Sequence, residues 1–290
     1  MHFVEAKGIL TANGGRHGMN IYRGCSHGCI YCDSRSRCYQ FTHPFEDIEV
    51  KQNAPELLEK ALKSKRKKCM IGTGAMSDPY MHIEKDLCLT RKCLEIILQY
   101  GFGVAIQTKS DLILRDIDLL DEINRSAKCV VQMTLTTYDD ELCSIVEPNV
   151  CVTSRRYEVL KIMQKEGIPT VVWLTPLLPY INDDMKNLRG ILELCADAGV
   201  KGIVCFAMGL TLREGNREYF YNALDKHFPG LKSKYMREYG MSYELNSPFQ
   251  NKLMDEFVSF CRKYDIIYTP EECFGYMNEL PDKYKQLSFF

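Results

Sequence analysis

The sequence predicts an α/β protein built on about six parallel strands, and three observations carry that prediction. Between Asn53 and Met208, amphipathic stretches with helical spacing alternate with short apolar runs. The runs recur roughly 26 to 41 residues apart, the spacing of βα units. They are apolar without clean alternation, as parallel strands covered on both faces should be. At 290 residues the chain fits one large domain or two small ones and can bury roughly three-quarters of its unfolded surface. Right-handed crossovers would curl such a series into an open or closed barrel, or spread it as a doubly wound sheet.

Taken in order, a first strand is expected near Met19 to Tyr22. Asn53 is placed to cap a helix with Pro55 in its first turn and Leu57, Leu58, Ala61 and Leu62 on one face. Lys68 to Gly72 reads as the second strand. The stripe Leu94, Ile97 and Leu98, closed by Gly101, leads to a third strand from Gly103 to Thr108. After Asp116, Ile117, Leu120 and Ile123 form a helix face before a fourth strand from Cys129 to Thr136. Thr153 or Ser154 opens a helix through Tyr157, Leu160 and Met163, which ends at Gly167. A fifth strand spans Thr170 to Leu178. Asn182 or Asp183 opens the next helix, through Leu188, Ile191, Leu192 and Cys195 to Gly199, and Gly202 to Met208 is the last strand. Beyond Leu210 the chain is rich in Tyr, Phe and charge, with helices expected near Arg217 to His227 and Gln250 to Lys263.

Composition narrows the function. A formal net charge of −1 gives no electrostatic case for a polyanionic partner, so nucleic acid is not favoured. The basic run Lys63, Lys65, Arg66, Lys67, Lys68 sits at a helix C-terminus, where the dipole favours positive charge. Glu5 and Lys7 stand where a signal peptide would be apolar, and no apolar run reaches the ~18 residues of a membrane helix. A cytoplasmic protein with reduced thiols is therefore expected. The 14 cysteines are about 5% of the chain, below the roughly 8 to 10% of a disulfide scaffold.

Three of them stand out. Arg23-Gly24-Cys25-Ser26-His27-Gly28-Cys29-Ile30-Tyr31-Cys32 sets thiols at C-x3-C-x2-C just after the first expected strand. Spacing this tight lets three sulfurs from one loop converge on one metal centre. An iron–sulfur site is the main reading. Zinc is the rival, and would need a fourth ligand such as His27, Cys38 or His43.

The chain resembles the radical S-adenosylmethionine superfamily, and within it the spore photoproduct lyase-like branch. The resemblance rests on Tyr22-Arg23-Gly24-Cys25 through Cys32, on Ser77-Asp78-Pro79-Tyr80, and on Thr108-Lys109-Ser110 followed by Leu114-Arg115-Asp116. Glu147-Pro148 and the stretch Pro176 to Asp183 complete it. It implies a partial parallel (β/α)6 TIM-like barrel over residues 19–210, after an N-terminal segment 1–18 and before a helical C-terminal extension, 211–290, packed on the core. It also implies a 4Fe-4S cluster on Cys25, Cys29 and Cys32 with one iron left open, and S-adenosylmethionine chelating that iron. One-electron reduction of the cluster then cleaves the cofactor to a 5′-deoxyadenosyl radical. A reduced flavodoxin or ferredoxin is the implied electron donor, in anaerobic surroundings.

The resemblance also distributes the cofactor's contacts. The methionyl amine falls to Gly72-Thr73-Gly74, with Ser77 and Asp78 just beyond. The carboxylate falls to Lys109 at the end of the third strand, the ribose to Thr134 and Thr136, and the adenine to Tyr31. Residues Arg213 to Tyr221 are expected either to roof the barrel mouth toward substrate or to pack as a helix on the barrel.

Two positions depart from the true lyases. Ala75 stands where they carry a hydrogen-donating cysteine, and Asp33 where they carry a tyrosine after the third cluster cysteine. An alanine has no weakly bonded hydrogen to transfer, so repair of a thymine photoproduct by that route is disfavoured. The expectation is an enzyme abstracting hydrogen from an unidentified substrate. A nucleic-acid repair or modification enzyme of the same chemistry, or a zinc-stabilised binding module without catalysis, are the alternatives.

Overall fold

The computed structural model describes residues 1–13 and 16–281; residues 14–15 and 282–290, parts of the expected N-terminal segment and C-terminal extension, lie outside them. Strand β1 (His2–Val4) comes first. Strands β2 (Leu10–Asn13) and β3 (Arg16–Met19) then pair antiparallel. The chain leaves β3 at Asn20, and β4 (Tyr22–Arg23) pairs with β5 (Glu49–Lys51) in a small sheet of order β1-β5-β4. The first strand therefore lies about three residues earlier than the apolar run Met19 to Tyr22 suggested. Met19, Ile21 and Tyr22 are all buried, so one apolar run serves two sheets.

The βα series follows as α1 (Ala54–Ser64), β6 (Met70–Thr73), α2 (Glu84–Leu87), α3 (Leu89–Gln99), β7 (Gly103–Thr108), α4 (Ile117–Ser126) and β8 (Cys129–Thr134). It continues through α5 (Asp140–Val146), α6 (Thr153–Lys165), β9 (Thr170–Trp173), α7 (Met185–Asp197) and β10 (Gly202–Val204). The sheet order is β10-β9-β8-β7-β6-β3-β2. Strands β3 and β6 to β10 are all parallel, so the expected six parallel strands form, with β2 as an antiparallel edge. The helices lie along one face of this curved sheet, giving a partial (β/α)6 barrel with a main core around Ile71, Val104, Ile106, Val131, Met133, Val172 and Ile203.

Residues expected at three helix starts are spent elsewhere. Asn53 makes no side-chain cap bond. Its amide instead accepts from Ala6 N at 2.9 Å and donates to Ala6 O at 3.0 Å, pinning the N-terminal segment. Asp116 is fully buried between Arg91 and Arg115. Helix α7 starts one to two residues late, capped by Asp184, which accepts from Asn187 N at 2.8 Å. Asn182 holds Leu178 N and Thr136 O, and Asp183 holds Tyr180 N and the Ser247 hydroxyl.

The rest of the chain forms β11 (Gly209–Thr211), α8 (Asn216–His227), α9 (Leu231–Tyr239), β12 (Glu244–Asn246), α10 (Gln250–Lys263) and α11 (Pro270–Asn278). The two expected helices are α8 and α10; α9, α11 and the β11-β12 pair are additional. Helix α11 enters the concave side of the half-barrel. There Cys273 and Met277 pack on Met70, Ala105, Val130, Val171 and Val204, one from each strand β6 to β10. Lys128, just before β8, donates to Tyr276 O at 2.5 Å and to Glu279 O at 3.0 Å. The helix thus stoppers the N-terminal end of the lumen, and the strands are apolar on both faces because both are covered. Two residues further along β7, β8 and β9, the inner face carries Gln107, Gln132 and Trp173, which line open space instead.

Candidate functional site

The cysteine loop leaves β4 through Gly24, whose φ of +91° is in the left-handed region; a Cβ there would stand 2.4 Å from Phe45 O. Cys25 N donates to the same carbonyl at 3.2 Å. On its other side the loop rests on residues 146–149. Ile30 N donates to Val146 O at 3.0 Å, Asn149 N to His27 O at 3.1 Å, and the Asn149 amide to Ser26 O at 3.0 Å. Glu147, fully buried, pairs with Arg156, also fully buried, at 2.5 Å and accepts from the Tyr31 hydroxyl. Arg156 further donates to Cys151 O at 2.7 Å and Thr134 O at 3.1 Å. The motif residues Glu147 and Pro148 therefore belong to the support of the loop. Neither Asn149 nor the full reach of Arg156 was visible in sequence spacing.

Cys25, Cys29 and Cys32 open onto a pocket of about 100 Å3 that also takes in Gly74, Ser77, Asp78, Lys109 and Thr134. It lies at the C-terminal ends of β6, β7 and β8, where barrel active sites gather. Gly74 has φ +99°, and a Cβ there would fall 2.0 Å from Gln107 O, so the backbone after β6 can lie against β7 only with glycine. Asp78 is wholly engaged: it accepts from Tyr80 N at 2.9 Å, the Thr108 hydroxyl at 2.7 Å and Lys109 N at 2.8 Å. Its carboxylate ties the loop after β6 to the end of β7. His27 Nδ1 is 3.4 Å from it, and burial holds that imidazole below its ordinary value, hence neutral.

Lys109 points its ammonium at the face of Tyr31, 5.8 Å from the ring centroid. Burial pulls its pKa down, but the facing Cys29 and Glu147 outweigh that and raise it, so it stays charged. Thr136 is not brought to the pocket. Strand β8 ends at Thr134, and the Thr136 carbonyl is taken by Asn182 and Asn187, each at 2.9 Å.

The pocket fits the cofactors its motif implies. Ser77 Oγ and Thr134 Oγ1 are buried without a partner, which a native interior rarely leaves unexplained. Burial, with Asp78, pushes the Cys25 thiol up to about 12, and burial holds Cys29 well above its ordinary value, so thiolates here call for a cationic centre. A single zinc would draw its sulfurs to about 3.8 Å apart, given Zn–S near 2.3 Å. Among the described residues the three thiols do not meet within 4.8 Å of one another. A 4Fe-4S cluster would not require the three sulfurs that close, and Cys25, Cys29 and Cys32 would hold it. Of the fourth zinc ligands considered from sequence, two lie elsewhere, exposed Cys38 contacting Arg213 at 3.4 Å and His43 beside Glu49, while His27 lines the cysteine pocket with its Nδ1 turned to Asp78 at 3.4 Å.

A larger cavity, about 780 Å3, adjoins the cysteine pocket and shares Cys32, Ser34, Ala75, Met76 and Lys109 with it. A third, about 320 Å3, extends down the lumen to α11, and Ala75 lines all three. Trp173, Phe206, Tyr39 and Tyr243 line the large one. Phe206 is 55% exposed there and stacks on Phe274 at 6.2 Å. Residues Arg213 to Tyr221 do not line it. Arg217, buried, donates to the carbonyls of Leu212, Gly240, Met241 and Ser242, and Tyr219 stacks on Arg35, so this stretch packs as a helix, α8. The lining comes instead from residues 206–211 and 243–246, where an apolar run and a Tyr were the available signals. No helix among the described residues is long and apolar enough to cross a membrane.

The family model described as Radical SAM superfamily matches residues 19–195. An uncharacterized protein of Mycobacterium tuberculosis is 29% identical over 259 residues, covering 87% of this chain and 75% of its own length. One of Methanocaldococcus jannaschii is 29% identical over 257 residues, covering 87% and 88%. The solved structure of spore photoproduct lyase complexed with dinucleoside spore photoproduct matches with a TM-score of 0.65 at 13% identity, covering 92% of this chain and 80% of that one. At that identity the likeness is one of fold, and it confirms the partial barrel. Matched by the family model across more than half its length, the chain belongs to the Radical SAM superfamily, enzymes that work with a 4Fe-4S cluster and S-adenosylmethionine.

Proposed function

We propose that Cys25, Cys29 and Cys32 hold the 4Fe-4S cluster and that the same pocket binds S-adenosylmethionine for radical chemistry on a substrate in the adjoining cavity. The observation that carries this reading is the shared pocket: three thiols, the orphaned hydroxyls of Ser77 and Thr134, and a charged Lys109 all face one space. When bound, the reduced cluster supplies the electron that cleaves the cofactor to a 5′-deoxyadenosyl radical, which takes a hydrogen atom from substrate. Lys109 is placed to neutralise the methionyl carboxylate. The backbone beside Gly74, with Ser77, receives the amine, and Thr134 offers a hydroxyl to the ribose. Tyr31 flanks the adenine, its orientation fixed by Glu147. Asp78 acts as a positioning residue through Thr108 and the Lys109 backbone.

The cavity lining favours a compact substrate with a planar or apolar group. Its aromatic rings offer stacking faces, and Asp33 and Glu244 stand against Lys109, which gives a phosphate backbone little to bind. Ala75 at the junction leaves no thiol there to return a hydrogen atom. We assign residues 19–210 to the catalytic core and 211–290 to the extension that completes the cavity. A flavodoxin or ferredoxin would deliver the electron in a reducing cytoplasm, which suits 14 free thiols.

Anaerobic reconstitution with iron and sulfide, then dithionite and S-adenosylmethionine, tests this. We expect four irons per chain and formation of 5′-deoxyadenosine, both lost in Cys29→Ala. Uptake of zinc alone, or a reduced cluster that yields no 5′-deoxyadenosine, overturns the reading.

A further inference from the structure

A second metal-binding constellation lies outside the cysteine pocket, on the small sheet that leads into it. His2 of β1 and Glu49 of β5 are register partners, so their side chains leave the same face of the sheet. His43, on the segment before β5, joins them, its ring 4.8 Å from that of His2. One ligand atom from each of the three lies within 4.8 Å of the others.

The hydrogen bonds behind the rings decide what these atoms offer. His2 Nδ1 lies 3.0 Å from the Asp47 carboxylate, and His43 Nδ1 lies 3.0 Å from Pro44 O. Both acceptors lack a proton, so each Nδ1 is the donor and each neutral ring keeps its lone pair on Nε2. Carboxylate and carbonyl partners on the far nitrogen are what orient metal-binding histidines. His43 Nε2 is buried without a hydrogen-bond partner, and it faces Glu49 Oε2 at 3.8 Å. A lone pair facing a carboxylate at that distance is repulsive unless a cation stands between them. Two imidazoles and one carboxylate suit zinc-type divalent ions, whose bonds of about 2.0–2.2 Å would draw the three atoms slightly inward and leave a fourth position for water.

We propose that His2, His43 and Glu49 bind one divalent transition cation of the zinc type, separate from the cluster. The ion would brace the cysteine loop: His43 is two residues from Phe45, whose carbonyl holds Cys25 N, and Glu49 pairs in register with Arg23.

The test is titration of the anaerobic, cluster-loaded protein, without an N-terminal tag, by Co2+ as a spectroscopic stand-in for zinc. One cobalt per chain should bind with nitrogen and oxygen ligands, giving d–d bands without sulfur-to-cobalt charge transfer and with iron content unchanged. His43→Gln and the near-isosteric Glu49→Gln should each abolish those bands. Asp47→Asn should weaken binding about tenfold, and Cys38→Ser should leave it intact. Iron content in each variant reports that the chain has folded. Absence of binding, a charge-transfer band from thiolate, or bands that persist in both His43→Gln and Glu49→Gln would overturn the proposal. Such outcomes would leave His2, His43 and Glu49 as a polar cluster of the small sheet with no metal role.

Discussion

Behind the cysteine loop a single buried ion pair fixes the geometry of the pocket. Glu147 and Arg156 are fully enclosed, with Tyr31 on one carboxylate oxygen and the Thr134 and Cys151 carbonyls on the guanidinium. Removing one partner leaves an uncompensated buried charge, so Glu147→Gln should cost about 3–5 kcal/mol, read as a lower urea midpoint. Because the penalty is mostly the orphaned Arg156, a Glu147→Leu/Arg156→Met double variant should recover much of it, and the non-additivity is the measurement that checks this. Burial raises the Glu147 carboxyl, but Arg156, Lys109 and the Tyr31 hydroxyl outweigh it and hold the pKa below the ordinary 4.5. A depressed carboxylate stabilises fully above its unfolded value. Stability should therefore fall as pH drops below 4.5 toward the depressed value, and the wild-type slope in that window should flatten in Glu147→Gln.

At the scale of elements, the end of β6 is the least replaceable turn of the site. The strand runs into Gly74, where a left-handed φ and the Gln107 carbonyl at 2.0 Å from any Cβ leave room for no side chain. Gly74→Ala must move this backbone away from β7, at a strain of about 1–3 kcal/mol. Asp78 ties the next residues to Thr108 and Lys109, so the shift reaches the lysine as well. We expect the KM for S-adenosylmethionine to rise by about tenfold or more, since 1.4 kcal/mol is a factor of ten, while bound iron stays at its wild-type level. An unchanged KM would remove Gly74 from the cofactor's contacts. The cysteine loop, by contrast, is braced by two separate segments, residues 43–49 and 146–149, neither adjacent to it in sequence.

For the whole molecule the consequential feature is the last helix. α11 fills the N-terminal half of the lumen and leaves the C-terminal half as cavity, so one element sets both the core and the volume of the site. Met277 is 2% exposed among Met70, Ala105 and Val130. Met277→Ala should lower stability by about 2–5 kcal/mol in denaturant melts, with the cluster's iron unaffected because the two sites are at opposite ends of the strands. A loss of iron in step with stability would show that the stopper and the cysteine pocket are coupled.

What the sequence determined by itself were the features whose physics is local. The three-cysteine loop, the glycines within it, the helical stripes of α1, α3, α4, α6 and α7, and the doubly apolar runs of the strands all follow from spacing along the chain. Together these give the βα series and locate the thiols, while the choice of a partial barrel over a doubly wound sheet came from the family resemblance and not from spacing. The tertiary structure alone decided how side chains with several possible partners were used. Asn53 and Asn182 read as helix caps and Asp116 as a helix start, yet Ala6, Thr136 and Arg91, all distant in sequence, claim part of their bonding. Thr134 and Thr136 share a strand face, yet only Thr134 reaches the pocket because β8 ends there. His43 read as a fourth zinc ligand for the cysteines and stands instead with His2 and Glu49. The entry of α11 into the lumen was also invisible, because its apolar residues declare only that they are buried, and which surface buries them is settled by the packing of the whole chain.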